Sequence, residues 1–163
     1  KNIHYEAEIV FKISKVGKKI EKHFASRYYS EVGLGIDFTA RDLQESARKE
    51  GLPWEIAKAF DSSAPLSRFI PKKEFQDINN ILFQLDINGK TVQKASTCDM
   101  IFSINELISY VSQFITLKTG DLLYCIPFHI CPTADRHEFV TVVNDNTAIA
   151  QWKAEARNRK ITI

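Results

Sequence analysis

Glu6 and Glu8 stand two apart in HYEAEIVFKIS (His4 to Ser14). On a strand, residues i and i+2 share a face, about 6.5–7 Å apart. Two carboxylates so placed can converge on one hard cation or simply face solvent. They become a metal-ligand candidate only with a third oxygen ligand from elsewhere, and GIDFTARDLQ supplies one in Asp37. Asp37 is read as standing where an apolar strand ends and a helix begins, a common place for functional groups on a rigid scaffold. The N-terminus of that helix favours a bound anion. Arg41 and Gln44 are three apart and share a helix face, with Arg48 a further turn along. An arginine there can grip a carboxylate through two parallel hydrogen bonds, or the two residues can serve helix solubility alone. Lys58 lies in PWEIAKAF, between Trp54 and Phe60. It is either a snorkelling surface residue or a desolvated cation facing a negative partner.

The elements that must position these groups follow from the pattern. Tyr5, Ala7, Ile9, Phe11 and Ile13 alternate with polar residues and predict a strand with one core face. After the turn SKVGKKIEK, a short helical or irregular segment from Ala25 to Ser30 leads into the apolar run EVGLGID. Thr39 is expected to cap the next helix, with Asp42 three residues on and Gly51 and Pro53 ending it. ILFQLDINGKTVQKAS reads as a hairpin about Asn88-Gly89, a dipeptide suited to the positive φ of a type I′ turn. Ser103 to Glu106 forms a capping box for an amphipathic helix whose core stripe is Ile104, Leu107, Ile108, Val111 and Ile115. TGDLLYCIPFHICP reads as a turn and a buried strand, and EFVTVVND with NTAIAQWK as a final strand pair. The sum is an α+β domain dominated by β-structure.

Composition sets outer bounds. The chain has 163 residues, 44% hydrophobic and 26% charged, the balance of one globular domain. A net charge of +2 gives no strong field for nucleic acid or a membrane surface. No apolar run approaches the roughly 18–20 residues that span a bilayer, and no signal-peptide pattern opens the chain. Three cysteines suit a reducing cytoplasm rather than a disulfide framework. Cys125, His129 and Cys131 share strand parity, but Pro127 interrupts them and no fourth soft ligand is evident, so packing is the preferred reading. The domain is expected over residues 1–152, followed by a basic, solvated tail over 153–163. Opening at Lys1 without a methionine, the chain is read as a fragment or as trimmed at its N-terminus.

HYEAEIVFKI, GIDFTARDLQ, GLPWEIAKAFDSSAPL, DINGKTVQ and MIFSINELISYVSQFITLKTGDLL occur in this order. Together they resemble the fumarylacetoacetate hydrolase family, in particular its acylpyruvate hydrolase and oxaloacetate decarboxylase branch. The resemblance implies a rolled β-sandwich with short helices, an α+β fold that is mostly β, in a homodimer. It implies that Glu6, Glu8 and Asp37 hold Mg²⁺ or Mn²⁺, that Arg41 and Gln44 contact the substrate, and that Lys58 faces the bound oxo acid as the catalytic lysine. The implied reaction breaks a C–C bond in a small 2-oxo or 1,3-diketo acid, with the enolate stabilised by the cation and Lys58. The alternative is a catalytically impaired member serving as a metal- or ligand-binding or dimerisation domain. Two departures stand out. The family's His–Glu base pair lies on a lid upstream of the E-x-E strand, and this chain starts just before that strand, so His4 is not read as the base. After GDLL the family's T-G-T-P-x-G-V-G loop is replaced by YCIPFHICP, with Cys125 and Ile126 in place of the Thr-Gly-Thr. That removes close backbone approach to a ligand and one hydroxyl donor.

Overall fold

The computed structural model describes residues 2–88 and 90–126 and the backbone of 140–144. The chain folds as an α+β domain in which strands dominate. The longest are β1 (Ile3–Ile13) and β2 (Tyr29–Ala40), antiparallel from Ile3 opposite Ala40 to Ile13 opposite Tyr29. β3 (Ile70–Pro71) adds to the outer edge of β2. The second sheet is built from β4 (Leu82–Ile87), β5 (Lys90–Ser96) and β7 (Val140–Asn144), with β4 central. Between them in sequence, β6 (Leu122–Cys125) pairs with β1, giving the first sheet the order β3-β2-β1-β6.

Period-two patterning explains the core. Tyr5, Ala7, Ile9, Phe11 and Ile13 of β1 are all buried, as are Val32, Leu34, Ile36 and Phe38 of β2. They join Phe83, Leu85 and Ile87 of β4 in one cluster, so the two sheets share a core. Each large side chain in it contributes on the order of 1.5–3 kcal/mol by leaving water. Gln93 of β5 adds a polar tie: its amide accepts from the Ala7 N–H at 2.9 Å and donates to the Ala7 carbonyl at 2.9 Å. Among the described residues β6 pairs with β1 only from Ile9 to Lys12, and Gln93 satisfies the buried backbone groups of Ala7.

The local signals are realised. Asn88 takes φ of 51° at the hairpin, and Gly89 lies outside the described residues. Helix α3 (Ile104–Phe114) starts on a complete capping box, with Ser103 and Glu106 bonding reciprocally. Ile104 and Ile108 are buried on it and Leu107 and Val111 half-buried. Ile115 departs from the expected stripe: it follows the last helical residue in extended backbone and is 55% exposed. Helix α1 (Arg41–Glu50) closes at Gly51, whose φ of +68° is the left-handed cap. The short α2 (Glu55–Lys58) follows after Pro53.

Two expectations need correction. Thr39 does not cap α1; it lies in β2, fully buried, and Ala40 is the cap residue with no side-chain bond. Asp37 does not end its strand, because β2 runs three residues further, carried by inward Phe38 and by pairing to Ile3 through Tyr5. The residues Pro127, His129 and Cys131, the segment NTAIAQWK and the basic tail lie outside the described residues, whereas β7 falls within the predicted strand EFVTVVND.

Gly35 is needed for close approach. A Cβ there would sit 2.4 Å from Tyr124 Cε1 and 3.0 Å from Val10 Cγ2. Gly35→Ala is therefore expected to destabilise the domain by about 1–3 kcal/mol, the usual penalty for overpacking. Urea unfolding checks this, and adding Tyr124→Ala should recover much of the loss because it empties the space the methyl group needs.

Candidate active site

The register of the two long strands builds the site. Glu6 lies directly opposite Asp37, and Glu8 opposite Gly35. Because strand side chains alternate, all three acidic groups project from the face opposite the Tyr5–Ile13 core stripe. One carboxylate oxygen from each of Glu6, Glu8 and Asp37 lies within 4.8 Å of the others. Like charges directly opposite on adjacent strands repel, so the cluster calls for positive charge.

Two cations supply part of it. Arg41 opens α1 directly after β2; its Nη1 donates to Gln44 Oε1 at 2.5 Å and its Nη2 to Glu6 Oε1 at 3.4 Å. Lys58, at the end of α2, donates from Nζ to Asp37 Oδ2. That decides between the two readings of Lys58: it is a half-buried cation on a negative partner. Arg48 is exposed and does not join the group. Glu8 has no ion pair among the described residues and is only 3% exposed. Burial, with Asp37 and then Glu6 alongside, pushes its carboxyl from the usual 4.5 up to about 8, against the pull of Lys58.

The cluster fits a hard divalent cation on its donor chemistry. The set is all oxygen, which suits Mg²⁺ or Mn²⁺ rather than a soft metal. Oxygens that share one Mg²⁺ at about 2.0–2.1 Å are at most about 4.2 Å apart, so small side-chain rotations close the ring. Thr39, two residues beyond Asp37, adds a fully buried hydroxyl with no hydrogen-bond partner among the described residues.

The chain thus brings Glu6, Glu8, Asp37, Arg41, Gln44 and Lys58 into one group. Three further participants escape the sequence reading. Tyr124 of β6 stacks on Gly35 beside Glu8 and donates to the Ala64 carbonyl at 3.3 Å. Burial, with Glu8 and Asp37 nearby, raises the Tyr124 hydroxyl pKa. Gln93 grips the backbone of Ala7, between the two glutamates. Thr39 is the third, expected from its type to be a cap. Only Thr39 carries a readable signal: Ile36 to Ala40 continues the alternation of the strand. Cys125 is buried and stands opposite Ile9, on the core side of the sheet.

A mostly-β scaffold thus carries an all-oxygen acidic cluster flanked by an arginine and a lysine, a donor set suited to a hard divalent cation. Known proteins resemble the chain in sequence and fold. Residues 1–125 match the family model described as fumarylacetoacetate (FAA) hydrolase C-terminal, and the chain belongs to that family. It is 44% identical over 123 residues to the mitochondrial oxaloacetate tautomerase of Mus musculus, covering 76% of this chain and 56% of the relative. It is 39% identical over 122 residues to the mitochondrial oxaloacetate decarboxylase of Dictyostelium discoideum, covering 75% and 56%. The chain thus spans about half the length of these curated relatives. Its fold matches the crystal structure of fumarylpyruvate hydrolase from Pseudomonas aeruginosa in complex with Mn²⁺ and pyruvate, at a TM-score of 0.83 and 34% identity, covering 88% of this chain and 62% of that one. Among the described residues no helix is long and apolar enough to cross a membrane.

The raised Glu8 pKa has a stability consequence of definite sign. The folded state holds this proton more tightly than the unfolded chain, so the contribution of Glu8 is complete below about pH 4.5 and is lost as pH rises towards 8. In metal-free protein the urea midpoint should fall over that window, more steeply than in Glu8→Gln. Mn²⁺ should restore stability most at the upper end. Parallel pH profiles for the two proteins would contradict the assignment.

Proposed function

We propose that this chain forms the metal- and substrate-binding part of an enzyme acting on small 2-oxo or 1,3-diketo acids, with Glu6, Glu8 and Asp37 as ligands of Mg²⁺ or Mn²⁺. The observation that carries the reading is the convergence of three carboxylates in which Glu8 is buried without a cation of its own among the described residues. The reaction is cleavage of a C–C bond beside the oxo group, as acylpyruvate hydrolysis or oxaloacetate-type decarboxylation. The tautomerase name of the mouse relative adds keto–enol conversion to the same class. Each of these routes develops negative charge on the keto oxygen.

When bound, the cation supplies positive charge to the oxygens of the oxo acid. Arg41, steadied by Gln44 and Glu6, offers its guanidinium to the substrate carboxylate. Lys58 holds its ammonium on Asp37, at the edge of the cluster, where it can donate to the oxygen that gains charge. Glu8, shielded from water, keeps the third acidic position dry. The same reading includes a homodimer, supported by the exposed Phe102, Tyr110 and Phe114, and no nucleic-acid partner. A cytoplasmic setting stays part of the proposal, although both curated relatives carry mitochondrial in their names.

A second reading, a ligand-binding module without turnover, is favoured by one observation. Cys125, which replaces part of the family's Thr-Gly-Thr, is turned into the core and offers the site no hydroxyl. Mg²⁺-dependent, saturable turnover of oxaloacetate or acetylpyruvate separates the two readings.

Calorimetric titration of Mn²⁺ into metal-free protein is expected to show binding that Asp37→Ala abolishes and oxalate tightens. No binding to the unaltered chain would sink the metal-site reading. Lys58→Gln removes a positive charge from the cluster, so Mn²⁺ affinity should hold or rise, while any turnover should drop by roughly a hundredfold or more, as for loss of a group that stabilises developing charge. A parallel fall of both quantities would instead make Lys58 structural.

A further inference from the structure

Gln93 stands opposite Leu85 in the β4–β5 pair, on the face that also buries Phe83, Ile87 and Ala95, and is itself only 5% exposed. A bulge puts it there. From Leu82 opposite Ser96 to Leu85 opposite Gln93 the pairing is unbroken, but Asp86 then faces Thr91, so Val92 is an extra residue. Had the register of the turn, Ile87 opposite Lys90, continued, Gln93 would stand opposite Gln84 and share its outer face. The bulge thus re-aims one polar side chain into the core between the sheets. An amide placed there costs free energy unless both of its polar atoms are bonded. Both are bonded to Ala7: the amide oxygen accepts the Ala7 N–H and the amide nitrogen donates to the Ala7 carbonyl, each at 2.9 Å. Ala7 separates Glu6 from Glu8, whose side chains leave the other face of β1. The second sheet therefore grips the first at the residue that sets the spacing of two carboxylates.

We propose that Gln93 is a positioning residue for the acidic cluster: by clamping Ala7 it holds Glu6 and Glu8 at the spacing a small divalent cation requires, and so favours Mg²⁺ over Ca²⁺. The proposal rests on the metal-site reading and deepens it. The three acidic groups repel one another, and their nearest oxygens lie within 4.8 Å. Oxygens around Mg²⁺, at about 2.0–2.1 Å, span at most about 4.2 Å, whereas those around Ca²⁺, at about 2.3–2.6 Å, span up to about 5.2 Å. A backbone free to yield at Ala7 would let repulsion widen the ring towards the larger ion. A backbone tied at both of its polar groups resists that widening. An apolar side chain of similar volume would fill the layer equally well, so packing alone does not call for an amide at this position. It would also leave the Ala7 N–H and carbonyl unpaired and lower stability, so the test has to separate positioning from stability.

Mn²⁺ binding, followed by electron spin resonance with Mg²⁺ and Ca²⁺ as competitors, makes that separation. Gln93→Met keeps the volume and removes both bonds, Gln93→Glu keeps the acceptor and removes the donor, and Ile108→Val loosens the core from α3 instead. Gln93→Met is expected to weaken Mg²⁺ roughly tenfold or more, the scale for residues that orient metal ligands. Ca²⁺ should weaken no more than about threefold, because its coordination is more flexible. Gln93→Glu should lower the Mg²⁺ preference in the same direction, whereas Ile108→Val should leave it within about twofold, as for an independent site. The bound Mn²⁺ spectrum should broaden in Gln93→Met, from a less regular ligand set, and stay unchanged in Ile108→Val. An unaltered preference in the Gln93 variants overturns the proposal, and so does an equal shift in Ile108→Val. Amide hydrogen exchange in the unaltered chain gives a check that needs no variant. Mg²⁺ should slow exchange at Ala7 more than at Leu85 on β4, because ion and clamp favour the same backbone geometry; equal or smaller slowing at Ala7 overturns the proposal. Failure of the unaltered chain to bind Mn²⁺ is a distinct result, which removes the metal-site reading and the positioning role with it.

Discussion

Three carboxylates forced together by a strand register are the constraint around which this molecule is arranged. Glu6 and Asp37 face each other across the β1–β2 ladder and Glu8 lies further along the same side. The arrangement is electrostatically unfavourable by itself, and two cations against three carboxylates leave it short of neutral. The buried member answers by holding its proton, with its pKa driven to about 8. A sheet selected only for stability would place a neutral or basic residue at one of these positions. Three carboxylates on one face offer a hard cation an all-oxygen donor set.

The rest of the fold serves to keep that register fixed. A slip of one residue between β1 and β2 would send the acidic groups into the core and the aromatic stripe into solvent. Gln93 pins β1 at Ala7, midway between Glu6 and Glu8, by completing the backbone hydrogen bonds that β6 does not reach. Tyr124 packs on Gly35 opposite Glu8 and ties β6 to Ala64, in the loop beyond α2. Arg41 and Lys58 arrive from the two helices that leave β2 in succession. Thus each charged group of the site is anchored by regular structure close to the pair of strands that carries the carboxylates.

Legibility in the sequence tracks the range of the interactions. Alternation in β1, the Asn88 turn, the Ser103–Glu106 capping box and the Gly51 stop are settled by neighbours, and each stands where the pattern places it. Pairing Glu6 with Asp37 can be anticipated as chemistry but not as geometry. The apolar run reads as ending at Asp37, yet a polar residue on the outer face does not end a strand whose inner face continues through Phe38. Thr39 misleads for the same reason, since its type suits a cap while its parity belongs to the strand. Gln93 and Ala7 are 86 residues apart, and no local pattern couples them. Ile115 falls off the helical stripe because the helix stops at Phe114, where tertiary geometry overrides periodicity.

The acidic cluster and the α1–α2 junction are built from elements of different rigidity. Carboxylates held by an eleven-residue strand and its twelve-residue partner have little freedom to move. The α1–α2 junction is made instead from a helix cap, a proline and a four-residue helix, where a substitution alters shape or charge without disturbing the ladder. Glu55 is such a position: exposed, in the first turn of α2, and free of any role in the core. Loop and short-helix positions of this kind tolerate change that the strand ladder does not.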